Sequence, residues 1–213
     1  MRPIKTATYS PITALTTAFN AQTFNSTGAA TAVTTSATTD GLAHTVTLVA
    51  PVQATLAGVT FTIVGTDADG NAQTETGITG PASGATVTST KYFKTISTIQ
   101  PSATMGALVV SVGISAVSAS PSIPVERRSI SPALLDVDIT GTINFTLNET
   151  FDDIFRAAPS TLRWVALSAF TAKATDITGA GTVGSAGVQI ITNSVTNGAT
   201  YTLYISQATQ QTG

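Results

Sequence analysis

Six oxygen-bearing side chains fall within residues 67–75: Asp67, Asp69, Asn71, Gln73, Thr74 and Glu75. Such a stretch could bind calcium, because hard cations prefer oxygen ligands. An EF-hand loop, however, needs glycine at its sixth position and glutamate at its twelfth, whereas Gly70 is fourth and Glu75 ninth. Asp-Gly between two alternating runs instead predicts the tip of a β-hairpin. We therefore expect a turn here and no bound metal.

His44 is the only histidine in the chain, and there is no cysteine. A hydrolytic triad needs a histidine, a serine placed against it and an acid that orients the ring. The serines occur in no Gly-x-Ser-x-Gly motif, and a thiol nucleophile is excluded. We expect His44 to be a polar residue at the start of a strand, without a catalytic role.

Paired carboxylates occur at Asp136/Asp138 and at Asp152/Asp153. Two acids facing each other across a cleft can hydrolyse glycosides, which keeps a carboxylate-dependent hydrolase as an alternative. Strand parity puts Asp136 and Asp138 on the same face, and this favours solvated or salt-bridged carboxylates. The expected partners are the arginines Arg127, Arg128 and Arg156.

The stretch Gly179–Gly184 has the glycine content of a dinucleotide-binding loop, but no strand–helix unit surrounds it. We interpret it as a loop and expect no cofactor. Trp164 is the only tryptophan. It is expected to anchor a core, and the alternative is a platform on which a sugar ring stacks.

The elements that must carry these residues are predicted to be short strands. His44–Val49 places Val46 and Leu48 on one face and threonines on the other, and Val59–Val64 repeats the pattern. Further runs of this kind follow at short intervals up to residue 119, separated by glycine, proline and serine. Five to seven such strands indicate a β-sandwich.

The C-terminal part of the chain has the same character. Ile139–Asn148 is predicted to be one strand, and Asn197-Gly198 is predicted to turn a hairpin into the strand Thr200–Gln207. Phe151–Ala157 is the one helix candidate, because Phe151, Ile154 and Phe155 recur at helical spacing. Pro159 would end that helix.

The predicted fold class is all-β, with two small antiparallel β-sandwich domains of immunoglobulin-like or jelly-roll-like type and an extended N-terminal arm. Prolines at positions 121, 124 and 132 mark an extended linker. The predicted divisions are an arm at residues 1–25, a first sandwich at 26–119, a linker at 120–133 and a second sandwich at 134–213.

Charged residues make up only 9% of the 213 residues, and the formal net charge is −2. A nucleic-acid-binding protein normally has a basic face, so no direct nucleic-acid partner is expected. No apolar run approaches the length of a membrane helix, so no membrane partner is expected either. With so few charges to keep it in solution, the chain must bury much of its surface against other chains or be a threonine-rich extracellular module.

The runs Gly58–Thr76, Thr79-Gly80-Pro81 and Thr90–Ile96 together resemble virion structural proteins of tailed double-stranded-DNA bacteriophages. In those proteins a hairpin is followed by a Gly-Pro turn and a further strand. The runs Thr140–Thr146 and Tyr201–Gln207 are similar to the same group. The resemblance covers most of the chain and implies a non-enzymatic part of a virion, assembled in the host cytoplasm.

The resemblance leaves the station on the particle open. A capsid decoration or cement protein is preferred to a neck, collar or tail-tube ring, because a tube subunit should line a DNA conduit with an acidic stripe. An adhesin-type module at a cell surface is the remaining binding-protein alternative.

The expected partners are other copies of the chain and major capsid, neck or tail subunits. Candidate assembly contacts are the arm aromatics, the hairpin tip and the arginine pair: Tyr9, Phe19, Phe24, Asp67, Asp69, Gly70, Asn71, Arg127 and Arg128.

Overall fold

The computed structural model describes residues 5–15, 21–24, 31–32, 38–52, 56–105, 108–126, 131–156 and 162–207. Within these ranges the chain is built from antiparallel β-strands and contains no α-helix. The only helical element described is a 3-10 turn at Ser168–Phe170, so this part of the chain has no helix that could cross a membrane. The predicted all-β sandwich class is confirmed.

The strands are numbered in chain order. They are β1 (Lys5–Tyr9), β2 (Ala21–Phe24), β3 (Thr31–Ala32), β4 (Ala43–Val49), β5 (Thr60–Thr66), β6 (Ala72–Thr79), β7 (Thr86–Phe93), β8 (Thr95–Pro101), β9 (Leu108–Ala119), β10 (Ile123–Pro124), β11 (Leu134–Thr140), β12 (Ile143–Thr150), β13 (Val165–Ala166), β14 (Ile177–Ala180), β15 (Gly187–Val195) and β16 (Thr200–Ser206).

The chain forms two compact units, and they divide it differently from the predicted arm and linker. The first unit is Ala14–Ser118, and the second unit combines Met1–Thr13 with Ala119–Gly213. The N-terminal residues are therefore shared between the units, because β1 pairs with β16 and completes an edge of the second unit's sheet. The predicted linker also belongs to the second unit, where β10 pairs with β15.

In the first unit one sheet has the strand order β3-β8-β5-β6, and the other contains β2, β9, β4 and β7. On β5, residues alternate between buried and partly exposed positions, as expected of a strand whose inner face packs against a second sheet. Phe61 and Ile63 on β5 and Val46 and Leu48 on β4 are all buried, as the alternation predicted. The predicted outer face of β4 is also buried, including Thr45 and Thr47.

In the second unit one sheet has the order β1-β16-β11-β14, and β12 lies between β13 and β15 in the other. The core is filled from both sheets. Its largest members are Phe145 on β12, Tyr201 and Leu203 on β16, and Phe170 in the 3-10 turn. Trp164 is half-buried and is not a member of this core, so its predicted role as core anchor is wrong.

Two corners carry the chain from one sheet of the second unit to the other. The predicted single strand Ile139–Asn148 is broken at Gly141, where the chain passes from β11 to β12. The predicted Asn197-Gly198 hairpin is likewise a corner, because β15 and β16 lie in different sheets. The corners touch each other, and Thr196 N donates to Thr142 O at 3.0 Å.

The predicted helix at Phe151–Ala157 is wrong over its described part, residues 151–156, where the chain makes a turn. The Asp153 carboxylate accepts a hydrogen bond from Phe155 N at 3.0 Å, and Asp153 O accepts one from Arg156 N at 3.1 Å. Short polar side chains that bond the nearby backbone compete with helix formation in this way. Phe155 consequently projects from a loop.

Candidate assembly interface

The Asp67–Asn71 segment is the predicted hairpin tip between β5 and β6. Asp67 Oδ1 accepts hydrogen bonds from Asp69 N and Asn71 N, each at 2.9 Å, and Gly70 takes a positive φ of 85°. The carboxylate therefore organises the turn. No cluster of three or more metal-ligating side chains occurs in the described ranges. Asp69, Gly70 and Asn71 are exposed, as an assembly contact requires.

His44 lies inside the first unit, bonded through both ring nitrogens. Nε2 is 2.8 Å from Asp40 Oδ2, and Nδ1 is 2.9 Å from the Ser115 carbonyl oxygen. The His44 and Asp40 side chains are 0% and 1% exposed. The ring is therefore shielded from any dissolved substrate, and the contact with Ser115 is made by its backbone carbonyl.

Asp136 and Asp152 accept hydrogen bonds from Thr178 and Arg163. Asp136 Oδ1 accepts from Thr178 Oγ1 at 2.6 Å, while Asp138 is exposed on the same strand. Asp152 Oδ2 accepts from Arg163 N at 2.7 Å and lies 4.0 Å from its Nε. The predicted partners Arg127 and Arg128 lie outside the described residues.

The predicted arm contacts have different outcomes. Tyr9 packs on Tyr201 of its own chain, with ring centroids 5.3 Å apart. Phe24 is described only as a backbone position of β2, paired with Leu108. Phe19 lies outside the described residues, as do Arg127 and Arg128.

One end of the second unit carries most of the exposed large hydrophobic side chains. Of eight such side chains in the described residues, five are found here: Leu134, Phe151, Phe155, Val165 and Val183. Phe155 is 80% exposed. We refer to this set as the apolar end.

The five residues come from different strands and loops, and the strand pairing brings them together. Leu134 begins β11 opposite Ala180, and Val165 begins β13 opposite Glu149. Phe151 follows the last residue of β12, and Val183 lies in the loop after β14.

A buried glutamate fastens this end of the sandwich. Glu149 on β12 accepts a hydrogen bond from Thr182 N at 2.9 Å and another from the Thr182 hydroxyl. The neighbouring Gly181 N donates to Ala133 O at 2.9 Å. The loop carrying Val183 is thus attached to both sheets, so the apolar end has a backbone fixed by hydrogen bonds.

A pocket of about 320 Å³ opens at the apolar end beside Phe155. Lys5 and Ile205 line it from one sheet and Pro124 from the other. Lys5 Nζ donates to Pro124 O at 2.6 Å. Val125, Glu126 and Gln207 complete its lining, so the pocket combines apolar and polar groups, and it is a concavity of the kind that anchor side chains fill at interfaces.

Sequence reasoning considered Glu75 only as an oxygen ligand near the hairpin and missed that it is a buried residue of β6. Its carboxylate accepts from Thr90 N at 2.8 Å, Thr90 Oγ1 at 2.9 Å and Lys91 N at 2.9 Å. No sequence motif announces these bonds, because the partners are 15 and 16 residues away. Glu75 and Glu149 play the same part in the two units, each binding a Thr amide and hydroxyl.

Glu75 lies where the long edge strands β6 and β7 approach each other. Both strands are bulged: Thr76 and Gly77 oppose one residue of β5, and residues 89–91 oppose one residue of β4. A groove of about 700 Å³ runs between them. Bulges twist an edge away from further pairing, so these edges are poorly suited to adding a strand.

No family model, curated protein or solved structure matches the chain. The features of the chain that bear on function are the apolar end and the low content of charged residues.

Proposed function

We propose that this chain is a non-enzymatic structural component of a tailed-bacteriophage virion that assembles as a homo-oligomer on the particle. The observation that carries the proposal is the apolar end, where the strand ends of the second unit present five exposed hydrophobic side chains and one of them, Phe155, borders a pocket. Exposed apolar surface concentrated in this way marks an interaction site. Its occupants in the proposal are a second copy or another virion subunit.

The low charge of the chain supports this role. Only 9% of the residues are charged, so few ions lose their hydration when the surface is covered, and the desolvation penalty is correspondingly small. Near the apolar end the Asp152 carboxylate accepts a hydrogen bond from Arg163 N, whereas the Arg163 side chain is 88% exposed and its Nε lies 4.0 Å from that carboxylate. An interface at this end would keep the Arg163 side chain at its solvated rim.

The environment of the acid–base residues favours a structural over a catalytic role. His44 and Asp40 are enclosed, and Glu75 and Glu149 hold backbone amides. General acid–base catalysis needs such groups within reach of a bound substrate. The hydrolase alternative would require an accessible carboxylate pair, and Asp136 is occupied by Thr178.

Capsid decoration remains our preferred station, with a neck or tail ring as the alternative. A subunit lining a DNA conduit should present a concentrated acidic surface. The eleven acidic residues are spread over the chain, and several are consumed by internal hydrogen bonds. Assembly in the host cytoplasm and incorporation into the virion follow from the proposal.

The test is binding of the purified chain to heads and to tails that were assembled without it. Stoichiometric binding to heads supports decoration, and binding to tails or necks supports the ring alternative. A chain that binds neither particle but retains glycans on an array would favour the adhesin alternative and overturn the proposal.

A further inference from the structure

Strand β1 is far away in the sequence from β16, the strand with which it pairs. It pairs with β16 in antiparallel register from Lys5↔Ile205 to Tyr9↔Tyr201. After Thr13 the chain enters the first unit and returns to the second unit only at Ala119. The strand is therefore tied to β16 by non-covalent contacts alone.

Several of those contacts are made by side chains of β1. The Tyr9 ring packs on Tyr201, the hydroxyls of Thr8 and Thr202 are 3.0 Å apart, and Lys5 Nζ bonds Pro124 O. Every partner residue is in the second unit, and every copy of the chain carries the same partners. An identical β1 from a neighbouring copy could make all of them in the same register.

Removing β1 would uncover little of the core of the second unit, chiefly the Tyr201 ring on which Tyr9 packs. Lys5, Thr6 and Thr8 are exposed, and Ala7 and Tyr9 are only half-buried. On its other side β16 remains paired with β11 over seven residues, from Leu134↔Ser206 to Thr140↔Thr200. Detachment of β1 exposes one edge of β16, and an exposed strand edge favours pairing with another strand.

We propose that Lys5–Tyr9 is an exchangeable strand, which in the assembled protein pairs with β16 of a neighbouring copy in the register it has within one chain. This inference rests on the proposed homo-oligomeric role and names its partner, a second copy. Exchange of an identical element is a low-cost way to join protomers, because the contacts already exist in the single chain. It also links subunits through a backbone ladder that specifies register.

The absence of cysteine makes a disulfide test clean. One protein carries Thr8→Cys, and a second, tagged protein carries Thr202→Cys. The two are mixed as folded proteins, concentrated and oxidised, and products are resolved without reductant. Thr8 and Thr202 are opposite each other, with hydroxyls in contact, so a disulfide between them fits the required geometry. The matched control is Thr6→Cys mixed with Thr202→Cys, because Thr6 lies opposite Tyr204.

Exchange predicts that the Thr8/Thr202 mixture yields the mixed disulfide dimer at least tenfold more efficiently than the Thr6/Thr202 mixture. Light scattering of the same samples separates the two proposals. An oligomer without the mixed disulfide overturns exchange and leaves the structural role intact. A chain that stays monomeric throughout contradicts both. The double variant Thr8→Cys/Thr202→Cys verifies that the bond forms within one chain when no neighbour is present.

Discussion

The few ionisable side chains that the chain keeps inside its two units bind backbone groups. Asp40 is an example: its Oδ1 accepts from Leu42 N at 3.1 Å and its Oδ2 contacts His44. A carboxylate in this position satisfies two donors that would otherwise be buried without a partner. Glu75 and Glu149 do the same for the amides of Thr90 and Thr182.

Replacing Asp40 by alanine should lower the free energy of unfolding by about 2 kcal/mol or more. The reason is that each buried donor left without an acceptor costs roughly 1–3 kcal/mol, and Asp40→Ala strands both Leu42 N and a ring nitrogen of His44. Urea denaturation followed by fluorescence of the single tryptophan and by circular dichroism measures the loss.

The matched control for Asp40 is Asp153→Ala. Asp153 makes the same bond to the amide two residues ahead, Phe155 N, but on a surface loop. It should cost less than about 1 kcal/mol. Equal losses in the two variants would mean that burial of the Asp40–His44 pair contributes nothing.

Burial of Tyr92 predicts how the stability of the chain changes at alkaline pH. Burial raises the pKa of its phenol above the ordinary value of 10.0, because the charged form is disfavoured away from water. In the unfolded chain the phenol ionises near its ordinary pKa, so stability is complete below pH 10.0 and falls as the pH rises toward the raised folded value.

Tyr92→Phe should therefore flatten the fall in the urea midpoint that the wild type shows above pH 10.0. Urea melts at a series of pH values provide the measurement. The same steep alkaline loss in Tyr92→Phe as in the wild type would remove Tyr92 as its cause.

The strands illustrate what alternation in a sequence can and cannot predict. Val59–Val64 was correctly predicted to alternate, since Phe61 and Ile63 are buried and the Asp67–Asn71 turn follows. For β4 the same pattern predicts one outer face, yet Thr45 and Thr47 are also buried. Thr45 Oγ1 contacts Ser115 Oγ at 2.5 Å, so hydroxyl pairing lets a threonine face be covered. An alternating pattern shows which side chains of a strand are polar. It cannot distinguish a threonine hydroxyl that bonds water from one that bonds a neighbouring strand.

The corners of the second unit were not predictable from local pattern for a related reason. Gly141 has a φ of +85°, and an added Cβ would lie 2.8 Å from the Cβ of Ala199. Ala199 is 58 residues away in sequence, so no local signal distinguishes this glycine from one inside a continuous strand. The sandwich class could be predicted because it depends on many short alternating runs. The corner at Gly141 depends on its close approach to Ala199, which is distant in the sequence.

Gly141→Ala should destabilise the second unit by about 2 kcal/mol or more. An L-residue in the left-handed region costs roughly 1–2 kcal/mol, and the new methyl also overlaps Ala199. Gly198→Ala is the control, because Gly198 has a φ of +80° but nothing within 4 Å of an added Cβ. Thermal denaturation should show a larger loss for Gly141→Ala, and adding Ala199→Gly to it should recover part of the difference. No recovery would contradict a steric origin.

Considered as a whole, the chain has several features that fit the role we propose for it as a subunit. Its described surface has few charges, its long edges β6 and β7 are bulged, and its apolar end is open. The apolar end itself was not predicted. Helical spacing predicts Phe151 and Phe155 on one face of a helix. In the structure, the Asp153 side chain bonds Phe155 N and the segment forms a turn instead. Identifying exposed hydrophobic residues requires knowing which strand ends meet, and that is a property of the tertiary structure.

The most direct test of the central claim is the molar mass of the purified chain in solution, measured by light scattering over a range of concentrations. The wild type and Val52→Ser, which changes an equally exposed side chain of the first unit, should both have a discrete multiple of 21.5 kDa. Losing an aromatic anchor from an interface costs about 2 kcal/mol. The dissociation constant of the Phe155→Ser oligomer should therefore be roughly thirtyfold higher than that of the wild type. A wild-type mass of 21.5 kDa at every concentration, or an unchanged Phe155→Ser oligomer, would contradict assembly through the apolar end.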